Sequence, residues 1–140
     1  MSKIAVVYWS GTGNTEAMAN AVAEGSRAAG ADVTLYTAAE FSASMADDFD
    51  AIAFGCPSMG AEQLEESEFE PMFLDCESKL RGKKIALFGS YGWGDGEGMR
   101  TWEDAGRADG ALLACDSVIC METPDDDAEA ECRTLGAALA

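Results

Sequence analysis

The feature that most restricts what this chain can become is the stretch Trp9, Ser10, Gly11, Thr12, Gly13, Asn14 and Thr15. It is set between the apolar run Ile4, Ala5, Val6, Val7, Tyr8 and a pattern of helical spacing. It reads as a strand, a phosphate-sized loop and a helix start. Gly11 and Gly13 admit backbone angles that a Cβ forbids, so successive N–H groups can turn inward. Ser10, Thr12, Asn14 and Thr15 add short side-chain donors. The helix contributes its unpaired first N–H groups and the positive end of its dipole. Together these parts form an anion cradle.

What the loop lacks narrows its ligand. A triphosphate loop of the Gly-x-x-x-x-Gly-Lys type needs its lysine to neutralise charge, and no lysine occurs between Lys3 and Lys79. The dinucleotide fingerprint wants a third glycine so that helix and strand can approach closely, and Glu16 stands there. Hydroxyls and amides without a cation suit one terminal phosphate.

The length of 140 residues is that of one domain with a proper core, and we expect a single domain over 1–140. No apolar run approaches a membrane span, and the first strand begins at once after Ser2, so a cytoplasmic protein is expected. Cys56, Cys76, Cys115, Cys120 and Cys132 are scattered and include no Cys-x-x-Cys pair. They read as buried or indifferent thiols, with no metal site. The absence of histidine excludes hydrolase schemes built on it. A net charge of −17, from 26 acidic and 9 basic residues, repels nucleic acid and anionic membrane and favours encounter with basic protein surfaces. Solubility alone would account for the same composition.

Taken in order, residues 3–9 are a nearly continuous apolar strand, as in a parallel sheet covered on both faces. Residues 15–29 follow as a helix ended by Gly30, and 32–36 as a second strand. Residues 41–50 form a polar connection with room for a helical turn, and 51–55 are the third strand. A helix is expected over 65–80, starting between Glu66 and Glu70, with Phe69, Met72, Phe73, Cys76 and Leu80 on one stripe and Pro71 in an early turn or at a bend. Residues 85–89 are the fourth strand, 99–109 a helix weakened by Gly106, 112–121 an unbroken fifth strand, and 126–139 the closing helix. The alternation gives an α/β architecture: a doubly wound, five-stranded parallel sheet with helices on both faces. Ligands of such sheets lie beyond the carboxyl ends of the strands, where the glycine-bearing loops after strands one, three and four all emerge.

Three motifs in order now carry a resemblance. Ser10 to Thr15 resembles the phosphate-loop signature of the flavodoxin family. Cys56-Pro57-Ser58-Met59-Gly60-Ala61-Glu62 resembles the first flavin loop of its clostridial-type members, and Gly89-Ser90-Tyr91-Gly92-Trp93-Gly94 resembles the second. The fifth strand lacks the long insertion of the other subclass, as in a short-chain flavodoxin. The resemblance implies strand order 2-1-3-4-5 and one non-covalent FMN. It assigns Ser10, Gly11, Thr12, Gly13, Asn14 and Thr15 to the phosphate. Pro57, Ser58, Met59, Gly60, Ala61 and Glu62, with Ser90, Tyr91, Gly92, Trp93 and Gly94, go to the ring. Met59 and Trp93 would cover opposite faces of the isoalloxazine. Gly60 would offer its carbonyl to N5–H after a peptide flip, and Glu62 would accept from N3–H. Pro57 and Gly98 depart from residues found in other members, a phosphate-contacting serine and a tryptophan.

The implied function is low-potential one-electron carriage, cycling FMN between neutral semiquinone and anionic hydroquinone, with Gly60 and Glu62 as tuning residues and no catalytic residue. Implied partners are basic-surfaced redox proteins such as ferredoxin-linked reductases, met by a monomer. The alternative is an FMN-dependent NAD(P)H:quinone-type reductase of the same fold, which needs space beside the ring and a cation for the nucleotide. Blander readings stand beside these roles: Trp93 and Met59 as core residues, Glu62 as a surface charge, and the acidic residues at 65–70 as a solvated helix face.

Overall fold

The computed structural model describes residues 3–9, 13–56, 68–91, 97–115, 117–121 and 124–140. Its elements run β1 (Lys3–Tyr8), α1 (Asn14–Ala28), β2 (Asp32–Thr37), α2 (Ala43–Ala46), β3 (Ala51–Gly55), α3 (Phe69–Cys76), β4 (Lys84–Tyr91), α4 (Glu97–Ala108), β5 (Leu112–Leu113), β6 (Val118–Met121) and α5 (Asp126–Leu139). All described strand pairings are parallel, in the order β2-β1-β3-β4-β5, with β6 also paired to β4.

The alternation of side chains along the central strands builds two cores. Ile4 and Val6 of β1, Ala53 of β3 and Phe88 of β4 meet Met18 and Val22 of α1 and Leu135 and Leu139 of α5 on one face. Ala5 and Val7, Ile52 and Phe54, and Ile85 and Leu87 meet Phe69, Met72 and Phe73 of α3 and Trp102 of α4 on the other. Because both faces are covered, the strands carry near-continuous apolar runs, and burial of each large side chain contributes about 1.5–3 kcal/mol.

The α3 stripe read from spacing is buried throughout: Phe69, Met72, Phe73, Cys76 and, in the turn beyond, Leu80. The helix itself is shorter than the 65–80 span, ending at Cys76 and tightening into a 3-10 turn over Glu77–Lys79. Pro71 sits in the first turn, where its missing N–H has no intrahelical partner to lose. Gly30 takes φ +94° and ends α1 as expected.

One expectation fails. The fifth strand is not unbroken over 112–121 but divided into β5 and β6. β5 pairs Leu112 and Leu113 with Lys84 and Ile85, whereas β6 restarts with Val118 opposite Phe88. On β4 two residues, Ala86 and Leu87, separate these pairings, whereas four positions of sequence separate Leu113 from Val118, an excess that no regular ladder accommodates. The polar side chain of Ser117 breaks the apolar run here, donating to Glu103 Oε2 of α4 at 2.7 Å.

The α1–α5 crossing is made close by glycine. A Cβ on Gly25 would run into the Arg133 carbonyl, and one on Gly136 into that of Val22. In the space so left, the buried Ser26 hydroxyl donates to the Gly136 carbonyl at 2.7 Å. Asp125 caps α5 by accepting from the Ala128 N–H at 2.8 Å, and Asp126 and Asp127 follow at the favourable end of its dipole.

Candidate functional site

Register places the carboxyl ends of three strands side by side. Tyr8 at the end of β1 is opposite Gly55 at the end of β3, and Gly55 is opposite Phe88 of β4. Hydrogen bonds extend this alignment past the strands: Trp9 N–H donates to the Gly55 carbonyl at 3.0 Å, and Cys56 N–H to the Phe88 carbonyl at 3.2 Å. Glycine makes the approach possible, since a Cβ on Gly89 would meet the Cys56 carbonyl and one on Gly55 the Phe88 ring. The segments that follow β1, β3 and β4 therefore leave the sheet from one edge.

Residue 13 carries the chain from that edge into α1. Gly13 adopts φ +93°, a left-handed conformation that costs an L residue about 1–2 kcal/mol, and it has no side-chain cap to spend on the helix N–H groups. Its carbonyl accepts from Ala17 N–H at 3.0 Å as the first helical bond. Asn14 and Thr15 begin the first turn, Thr15 being buried, and Glu16 is the charged residue there. The donor set is thus backbone amides and short polar side chains at a helix N-terminus, which fits a phosphate monoester held by hydrogen bonds.

Tyr8 and Trp9 flank the loop with aromatic side chains. Tyr8 Oη donates to Glu16 Oε2 at 3.5 Å. Burial, followed by the Glu16 charge and this bond, raises the phenol's pKa above its ordinary value, so it stays neutral beside the cradle. Trp9 Nε1 donates to Glu68 Oε1 at 3.2 Å, linking the end of β1 to the start of α3.

Of the residues assigned from sequence, Gly13, Asn14 and Thr15 stand together at the start of α1. Ser90 and Tyr91 close β4, their backbones in register with Cys120 and Met121 of β6. Ser10, Gly11, Thr12, Pro57, Ser58, Met59, Gly60, Ala61, Glu62, Gly92, Trp93 and Gly94 lie outside the described residues. Sequence reasoning missed the packing roles of Gly55 and Gly89 and the Trp9–Glu68 bond. The glycines had a signal, each being the apolar strand's last small residue before a polar loop, whereas a bond spanning 59 positions had none.

Cys56, Cys76 and Cys132 are buried and Cys115 half-buried. Burial, then the neighbouring Asp75, pushes the Cys76 thiol up to about 11. Among the described residues no cluster of three or more metal-ligating side chains occurs, and no helix is long and apolar enough to cross a membrane.

Comparison with known proteins agrees with this architecture. The flavodoxin family model matches residues 6–135. The flavodoxin of Megasphaera elsdenii is 47% identical over 140 residues, covering 98% of both chains. That of Clostridium beijerinckii is 43% identical over 135 residues, covering 96% of this chain and 97% of its own. The solution structure of the two-electron reduced Megasphaera elsdenii flavodoxin superposes with a TM-score of 0.89 at 46% identity, covering 97% of each chain. With strand order, loop positions and whole-length similarity in agreement, the chain belongs to the flavodoxin family as a short-chain, clostridial-type member, an FMN-binding electron carrier rather than a substrate-converting enzyme.

Proposed function

We propose that this single-domain protein is a low-potential one-electron shuttle of the cytoplasm, passing electrons between basic-surfaced redox proteins such as ferredoxin-linked reductases, and working as a monomer. The observation that carries the reading is the common edge formed by the ends of β1, β3 and β4, with left-handed Gly13 opening α1 beside it. FMN supplies the one-electron chemistry, between its neutral semiquinone and anionic hydroquinone.

The chain's own residues do the rest. Ser10, Thr12, Asn14 and Thr15, with the amides of Gly11 and Gly13, hold the phosphate without a formal counter-ion. Met59 and Trp93 exclude water from the two ring faces, and Pro57, Ser58, Ala61, Ser90, Tyr91, Gly92 and Gly94 complete the lining. Gly60 would accept a hydrogen bond from N5–H through its carbonyl, and glycine there would let the peptide reorient at low cost. Glu62 would accept from N3–H, and its charge, with no lysine or arginine between 57 and 78, would oppose the negative charge that the ring gains on the second reduction.

Titration of apoprotein with FMN, followed by potentiometry of variants, tests this. One equivalent of FMN should bind, Gly60→Ala should lower the yield of the one-electron-reduced form, and Glu62→Gln should make the second potential less negative. Failure to bind FMN would overturn the reading, and unmoved yield and potential would remove Gly60 and Glu62 from the tuning.

A further inference from the structure

Trp9 and Glu68 occupy matching places in the fold. Trp9 is the last residue of the β1 edge before the phosphate loop, and Glu68 is the N-cap residue of α3, directly after residues 57–67. The Trp9 backbone is already fixed, its N–H bonded to the Gly55 carbonyl at 3.0 Å. Its indole packs against the α3 face of the core, and its Nε1 reaches Glu68 Oε1 at 3.2 Å. Glu68 does not use its side chain to cap its own helix, although its carbonyl accepts from Met72 N–H at 3.3 Å. The carboxylate thus turns away from the ordinary N-cap role and toward the neighbouring strand end.

We propose that Glu68 is a positioning residue for the cofactor: its bond to Trp9 ties the residue before the phosphate loop to the start of α3, where the chain returns after the ring loop, and so limits the separation at which the two loops bind one ligand. This rests on the reading that residues 10–15 and 57–62 hold opposite ends of FMN. An N–H donor on a carboxylate is the stronger kind of hydrogen bond, weakened here by exposure, so its net effect corresponds to about a fivefold change in an equilibrium constant. That effect falls on a ligand that must engage both loops at once. A ligand that lacks the phosphate engages only one.

The experiment measures dissociation constants of FMN and riboflavin, by quenching of flavin fluorescence, for the wild-type apoprotein and for Glu68→Ala, Glu68→Gln, Trp9→Phe and the Trp9→Phe/Glu68→Ala pair. Circular dichroism and apoprotein melting check each fold. FMN affinity should fall about fivefold in Glu68→Ala and in Trp9→Phe. It should fall no further in the double variant and be largely restored in Glu68→Gln, whose amide oxygen still accepts. Riboflavin affinity should fall less than FMN affinity. Additive losses, equal losses for the two flavins, or a lowered melting temperature with unchanged FMN affinity would each overturn the proposal. Failure of the wild-type protein to bind FMN would instead overturn the function on which it rests, so the two failures are distinguishable.

Discussion

Glu77, in the turn after α3, is the one carboxyl among the described residues whose pKa is raised far above the ordinary range, to about 7. Burial is the main cause, followed by its hydrogen bond to Asp109 beyond α4 and the charge of that residue. A carboxyl that holds its proton more tightly in the native state stabilises the fold below its ordinary value of 4.5, and that stability is lost as pH rises toward about 7. Because much of the group still meets water, the slope should be shallow. Urea unfolding between about pH 5 and 7.5 should therefore show stability falling with pH, and Glu77→Gln should flatten that fall. A parallel slope in the variant would assign the dependence elsewhere. Single residues of this kind were invisible in the sequence, where Glu77 is one of 26 acidic residues. Gly13 was legible, because a glycine between a strand and a helix has few other reasons to be there, and it takes the left-handed angle.

Among the elements, what could be read from the sequence was what periodicity controls. The buried stripe of α3, the bounds of β3 and α5 and the end of α1 at Gly30 follow from apolar spacing and terminating residues. The break between β5 and β6 had a signal, the polar pair Asp116 and Ser117 inside an apolar run, which the reading of 112–121 as unbroken passed over. The α1–α5 crossing was hidden: Gly25 and Gly136 are interior helix positions that only the partner backbone explains. Adding a methyl group at position 136 forces backbones apart, so Gly136→Ala should cost about 1–3 kcal/mol. This should be read as a lower urea midpoint at unchanged slope. An unchanged midpoint would mean that the crossing is looser than the Ser26–Gly136 bond implies.

For the molecule as a whole, charge is distributed along the strand direction. Lys3 begins β1, Arg27 lies in the last turn of α1, Lys79, Arg81, Lys83 and Lys84 precede or begin β4, and Arg107 lies in the last turn of α4. These seven of the 9 basic residues stand at the ends opposite the site, whereas Arg100 lies in the first turn of α4 and Arg133 within α5, and two of the lysines are engaged at those opposite ends. Lys83 Nζ donates to the Ala46 and Phe49 carbonyls at 3.1 and 2.6 Å, and Lys79 pairs with Asp47 at 3.1 Å. The segments leaving β1, β3 and β4 carry no lysine or arginine over residues 10–26, 57–78 or 92–99. A basic partner of the kind proposed would be drawn toward the site edge, and stopped-flow electron transfer to such a protein should slow steeply as ionic strength rises. A salt-independent rate would assign the acidic composition to solubility alone.

At this scale the fold was legible from three motifs and a strand-helix alternation. The Trp9–Glu68 bond was not, since it joins residues 59 positions apart in the chain. One-electron carriage tuned by the loop around Gly60 is tested most directly by stepwise anaerobic photoreduction of the FMN-loaded protein, followed by its visible spectrum. A blue one-electron-reduced form should accumulate before the fully reduced protein. Direct bleaching from yellow to colourless, with no blue form at any stage, would contradict that carriage.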